Sequence, residues 1–264
     1  MTTRYTAFLL LGVMILAIGA LVGCGGPVDM SKFTARELFD KGLAEYEKGK
    51  HLRGVNYLQT LVFNYPGVEF IDSAQYYLAL SYYGNDDYVL GGVEFNRLLI
   101  NYPSSEFAQQ AQFMRAVCFF EGTPENYGLD QTDLYTAIKQ FEDFLIDYPE
   151  SEVTPDAKKY LNLAHTRLAK KLYESGIVYT RVRDHRAAKV YYQKVVDEYT
   201  DTEFAPLATY QLAEAEYKLR NWDDAHEKFQ NFAVVFADHE LAAKALKRSC
   251  EALIEGGKTA FDEA

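Results

Sequence analysis

The sequence predicts an all-α protein: a right-handed superhelical solenoid of five helix pairs closed by a C-terminal capping helix. Three observations predict it. Glu followed by an apolar residue recurs as Glu69-Phe70, Glu106-Phe107, Glu152-Val153, Glu203-Phe204 and Glu240-Leu241, at spacings of 37, 46, 51 and 37. Just upstream of each stands a helix stop: Tyr65-Pro66, Tyr102-Pro103 and Tyr148-Pro149, then the degenerate Tyr199-Thr200 and Phe236-Ala237. Proline lacks the amide proton a helix needs and pushes the preceding residue out of the α region, so these pairs mark C-termini. Third, small residues recur in each unit at Gly42, Ala79, Ala116, Gly176 and Ala213, and again at Gly54, Gly91, Ala137, Ala188 and Ala225. A bulky residue follows the second small one by four: Leu58, Phe95, Phe141, Tyr192 and Phe229. Small residues let two antiparallel helices approach, and the large one fills the groove alongside.

Composition agrees with a folded scaffold. Of 264 residues, 48% are hydrophobic and 25% charged, with Gly 17 and Pro 7, which excludes a disordered, collagen-like or polytopic membrane chain. Lys+Arg 27 against Asp+Glu 38 gives a net charge of -11, a poor match to the phosphates of nucleic acid, so no nucleic-acid partner is expected. Tyr 21 and Phe 17 require an architecture with many equivalent places for rings.

The elements follow in order. Residues 1–23 are an export signal: Arg4 is the only charge before Asp29, and Ala7 to Gly23 is an unbroken apolar run. Leu21-Val22-Gly23-Cys24 is a lipobox, because the lipoprotein signal peptidase cleaves after small residues beside a diacylglyceryl cysteine. The other reading is a plain N-terminal membrane anchor with an incidental cysteine. Cys24 is thus the expected lipidation site, residues 24–32 a lipidated tether, and the acyl chains a membrane anchor that does not span the bilayer. Gly25 in place of Asp is compatible with the outer membrane.

The solenoid occupies 33–255, with units at about 33–66, 70–103, 107–149, 168–200 and 204–237 and a cap at 240–255. The third unit carries an inserted surface loop within Glu121–Thr132, rich in Gly, Pro and Asn. Asp156 to Arg183 holds no Pro or strong breaker, so one long helix joins units three and four. Gly256-Gly257 ends the cap and leaves 256–264 as a polar tail. Cys118 and Cys250 lie in apolar helical patterns and read as two buried free thiols. This helix–turn–helix pattern resembles the tetratricopeptide repeat (TPR), lengthened from 34 to 37 residues.

Two surface features stand out. Three residues before each first small position is an aromatic: Phe39, Tyr76, Phe113, Tyr173 and Tyr210. Four after it come Tyr46, Tyr83, Phe120, Thr180 and Tyr217, on the same helical face. These rings either line a concave groove for an extended peptide or pack against the neighbouring repeat. Between Asp156 and Lys194, ten basic residues, among them Lys159, Arg167, Lys170, Lys171, Arg181 and Arg183, face three acidic ones. That stretch is either a docking surface for an acidic partner or anionic headgroups, or the solvated face of a long helix. No HExxH, GxSxG or metal-ligand spacing occurs, and His51, His165, His185, His226 and His239 are scattered. No enzyme, cofactor or metal site is expected.

Lipobox Leu21–Cys24, five TPR-like units with Tyr65-Pro66-type ends, a long helix joining units three and four and a short tail together resemble the BamD (ComL) family. These are outer-membrane lipoproteins of the β-barrel assembly (BAM) machinery. The resemblance implies anchorage on the periplasmic face, docking to the POTRA domains of a BamA-like barrel protein alongside other BAM lipoproteins, and reception of unfolded outer-membrane proteins. It implies a substrate-side groove at Phe39, Tyr46, Tyr76, Tyr83, Phe113 and Phe120, with partner docking on repeats four and five. A structural TPR lipoprotein organising cell-wall or Tol–Pal-like complexes is the alternative. Ala205-Pro206-Leu207 carries no basic residue, so specific family docking contacts are not implied.

Overall fold

The computed structural model describes residues 29–262; the apolar leader and Cys24 lie outside the described residues. Among those described there are eleven α-helices and no strand. They run α1 (Ala35–Glu47), α2 (His51–Asn64), α3 (Ile71–Gly84), α4 (Tyr88–Asn101), α5 (Ala108–Gly122) and α6 (Thr132–Asp147). After these come α7 (Thr154–Arg181), α8 (His185–Glu198), α9 (Phe204–Lys218), α10 (Trp222–Val235) and α11 (Ala242–Asp262). Each helix packs on the next in the chain, and α1 also touches α3, α5 touches α7 and α7 touches α9. Five pairs and a cap stack into a TPR solenoid.

The small and large positions do what their sizes demand. Every first and second small residue is buried, and so are Leu58, Phe95, Phe141, Tyr192 and Phe229. A Cβ at Gly42 would stand 2.6 Å from Leu58 Cγ, and one at Gly176 would collide with the Tyr192 ring. Only glycine lets the helices close that far with a bulky partner present.

The chain enters through a capping box: Thr34 Oγ1 accepts from Glu37 N–H, and the Glu37 carboxylate accepts from Thr34 N–H at 2.8 Å. The turns inside units one, two, four and five share a geometry that spacing did not reveal. Gly49, Asp86, Arg183 and Arg220 all take left-handed backbone, with φ between 61° and 69°. In each, paired backbone bonds close the first helix, as Arg183 N–H to Thr180 O and Asp184 N–H to Tyr179 O do. Unit three has the inserted loop instead. Buried Gln131 closes that loop, its side-chain amide donating to the carbonyls of Pro124, Asn126 and Asp130.

Helix α7 spans 28 residues and belongs to two units at once. Its buried Ala157, Ala164, Leu168, Ala169 and Leu172 lie in one apolar cluster running from Phe113 on α5 to Leu212 on α9. Smaller separate clusters serve the N-terminal helices and the α9–α11 end.

The C-terminus differs from the sequence reading. Helix α11 does not end at Gly256-Gly257 but continues to Asp262. Trp222 covers this stretch: a Cβ on Gly256 would sit 3.0 Å from Trp222 Cβ, and Trp222 Nε1–H donates to Thr259 Oγ1 at 3.2 Å. Packing of Gly256 against an aromatic and the bond to Thr259 compensate for the poor helix propensity of the glycine pair. Residues 256–262 are therefore cap, not tail. Cys250 is a second correction, being exposed on α11 while Cys118 is buried.

Candidate protein-interaction site

The aromatic rows are first of all joints between repeats. Phe39 packs on Phe70 (ring centroids 5.2 Å), Tyr76 stacks on Phe107 (4.6 Å) and Tyr173 packs on Phe204 (5.7 Å). In unit three Phe113 shares its cluster with Val153, and in unit five Tyr210 shares its cluster with Leu241. The apolar member of each Glu-apolar pair is thus the seat for the ring of the preceding unit. The separation is 31 residues in units one, two, four and five and 40 across the insertion of unit three, a regularity legible in the sequence. Phe39, Phe113 and Phe120 are consequently buried and have no face left for a peptide. Phe120 lies against Tyr160 (5.2 Å) with the Arg167 guanidinium 4.0 Å over its ring.

Tyr46, Tyr76 and Tyr83 are half-buried, with their rings engaged and an edge exposed. Tyr46 and Tyr76 both contact Tyr77 (5.6 and 5.7 Å), a residue that spacing had not singled out, and Tyr83 contacts Tyr88 at 5.5 Å. Burial pushes the Tyr76 hydroxyl up to about 12 and raises those of Tyr46 and Tyr83 as well. These phenols stay neutral at physiological pH, so the patch offers apolar edges and hydrogen-bonding tips rather than charge.

The basic stretch divides into two sets. Arg167 donates to Phe120 O (3.3 Å), Lys171 donates to Leu129 O (3.4 Å), and the Lys170 ammonium stands 5.9 Å from the Tyr127 ring centroid. These three hold the α5–α6 loop against α7. Lys189 pairs with buried Glu216 on α9. Lys159 is exposed on α7, and Arg181, Arg183 and Arg186 are exposed around the α7–α8 turn beside Val178, Val182 and Val190.

At the far end Arg248 of α11 reaches Glu214 of α9 through two hydrogen bonds, one of 2.7 Å, and Glu251 through another of 2.7 Å. Its guanidinium lies 3.8 Å from the Tyr217 ring centroid. Hydrogen bonds donated to the Glu214 carboxylate raise Arg248 above the usual guanidinium range. Nothing in the local sequence set this arginine apart from its neighbours. Ser249 Oγ and His226 Nδ1 lie 2.7 Å apart between α11 and α10. No group of three or more His, Cys, Asp or Glu able to hold a metal occurs among the described residues.

Against known proteins, residues 31–231 match the model of a family described as YfiO, outer membrane lipoprotein. No curated protein matches the chain. Among solved structures it is similar to a tetratricopeptide repeat protein from Parabacteroides merdae, with 14% identity, 86% of this chain and 77% of that one covered, and a TM-score of 0.36. The TPR2AB domain of yeast Sti1 in a pHSP90 complex gives 13% identity, coverages of 86% and 85% and a TM-score of 0.40. A thermophilic TPR protein of Thermus thermophilus gives 14%, 84%, 100% and 0.36. Similarity at that level carries no inference about ligands or partners.

Proposed function

The chain belongs to the YfiO family of outer membrane lipoproteins, and from that membership we propose that it is a non-catalytic subunit of the β-barrel outer-membrane protein assembly machinery. In this reading Cys24 carries the lipid that tethers the solenoid to the periplasmic face of the outer membrane. The solenoid docks to the periplasmic POTRA domains of a BamA-like barrel protein and stands beside other lipoproteins of the same machine. The observation that carries the reading is the length of the family match, which spans every repeat from the first through most of the fifth.

The work required of such a subunit is binding without bond-making. Tyr46, Tyr76 and Tyr83 would meet unfolded barrel segments, which alternate apolar and polar side chains and so suit rings with hydroxyl tips. Lys159, Arg181 and Arg183, whose side chains make no hydrogen bond or ion pair among the described residues, would face the docking partner. Holding both ligands on one scaffold raises the local concentration of substrate at the barrel.

The test is purification of the intact lipidated protein from mildly solubilised membranes, with mass spectrometry of its companions. A stoichiometric barrel protein bearing POTRA domains is the expected result. Peptidoglycan-associated proteins in its place would replace assembly with envelope scaffolding and leave the fold untouched. Tyr76→Ala with Tyr83→Ala should weaken binding of unfolded barrel segments; unchanged binding would remove the tyrosine patch from the proposal.

A further inference from the structure

The second helices of units two and three, α4 and α6, leave a groove between them whose floor is α5. Two openings of about 750 and 470 Å³ lie along it, and Arg115 lines both. Arg115 Nε donates to Gln140 Oε1 (2.8 Å) on the α6 wall, and Nη1 donates to Asn96 Oδ1 (2.8 Å) on the α4 wall. Both partners are neutral amides. Among the described residues no carboxylate comes within ion-pairing distance of this half-buried guanidinium. Asp143 acts on it only at longer range, and burial lowers its affinity for the proton. A partly desolvated cation held in place by amides, in a chain of net charge -11, is an anion receptor in want of an anion. Nη2 has no hydrogen-bond partner among the described residues, so the outer edge of the fork remains available to a carboxylate.

The rest of the groove sets the kind of partner. On α4, Val89, Val93 and Ile100 recur at helical spacing and are 77%, 42% and 69% exposed, and Ile146 at the end of α6 is 77% exposed. Val89 and Val93 line the larger opening, Ile146 lines the smaller and Ile100 lies outside both, so a small molecule in either opening would leave the rest of the stripe wet. The described backbone is helical and offers no sheet edge to an extended strand, and the side-chain oxygens of Asn96 and Gln140 are committed to Arg115. The α6 wall carries Asp133, Asp143 and Asp147, which would repel a uniformly acidic surface. We propose that this groove docks an amphipathic helix of a partner protein, its aliphatic stripe on Val89, Val93 and Ile100 and one of its carboxylates on Arg115. The site is distinct from the basic turn, borders the tyrosine patch only through Tyr88, which lines the larger opening and contacts Tyr83, and stands whether or not the assembly role holds.

Site-specific photocrosslinking in the full lipidated protein in its own membranes tests it. Benzoylphenylalanine replaces Val93, and the control replaces Leu52, which holds the unit-one position equivalent to Val89 and is 59% exposed. The expected result is a Val93 crosslink whose mapped peptide has helically spaced aliphatic residues and an Asp or Glu within about two turns. Arg115→Gln, checked for an unchanged thermal melt, should reduce that crosslink at least about fivefold, while Arg115→Lys retains part of it. Arg115→Glu should be rescued by Lys in place of the mapped acidic residue. A Val93 signal no stronger than Leu52, a crosslink to lipid, a peptide without an acidic residue, or indifference to Arg115→Gln would each overturn the proposal.

Discussion

The two ends of the solenoid solve one problem with different chemistry. Between units one, two and three the joints are rings on rings: Phe39 on Phe70, Tyr76 on Phe107. Between unit five and the cap the apolar seat of Tyr210 beside Leu241 is joined by an ionic one, with Arg248 gathering Glu214, Glu251 and the face of Tyr217, while Lys189 ties α8 to α9 through Glu216. Ring stacking is indifferent to salt and tolerant of small slides. A forked guanidinium between two carboxylates fixes one register and responds to ionic strength and acid. The difference teaches that a repeat dictates where a joint lies but not what holds it.

Breaking each joint in turn sharpens this contrast. The largest effect is expected from Phe39→Ala, which empties a buried seat and should cost about 3–4 kcal/mol, with no dependence on salt, in chemical denaturation followed by circular dichroism. Arg248→Ala should cost about 2–3 kcal/mol by leaving two carboxylates without their partner, and the penalty should shrink at high salt. Arg248 holds the Glu251 carboxyl below its ordinary range. A lowered carboxyl stabilises the fold above its unfolded value, so this contribution is lost as pH falls through the depressed value. The Phe39 joint should show no such acid sensitivity.

Smaller effects test the turns. Arg183→Gly and Arg220→Gly should each stabilise the chain by about 0.5–1 kcal/mol, because both hold left-handed backbone that favours glycine, whereas Asp86→Gly should gain less because it loses the bond that Asp86 accepts from the Tyr88 hydroxyl. The smallest effect is at the cap's end. Trp222→Phe loses the bond to Thr259 and should speed amide exchange in 256–262 while shifting the global melt by about 2 °C or less. Exposed Cys250 should alkylate in the native protein, whereas Cys118, whose thiol burial pushes up to about 12, should react only on unfolding.

The helix pairs were legible because packing size is written in residue size. Gly42 opposite Leu58 and Gly176 opposite Tyr192 read as contacts in the sequence and are contacts in the structure. The long α7 was legible from the lack of breakers. The aromatic rows were half legible: helical spacing put Phe39, Tyr76 and Phe113 on one face, but spacing does not say whether that face meets solvent or the next unit. The pairing partner lies 31 residues on, at Phe70 for Phe39 and Phe107 for Tyr76, and only the fold brings the two together. Gly256-Gly257 misled because Trp222, more than thirty residues upstream, packs on Gly256 and bonds Thr259. Arg115 and Arg248 gave no signal at all, since an arginine's role depends on which carboxylates or amides the fold sets around it.

Helix α7 has a mechanical consequence. Twenty-eight residues make a rod of roughly 42 Å shared by two repeats, through which the largest apolar cluster is continuous. Pulled at its ends, the molecule would behave as a spring with a stiff middle. The first two units and the cap would yield one after another, while units three and four gave way together in a single larger step.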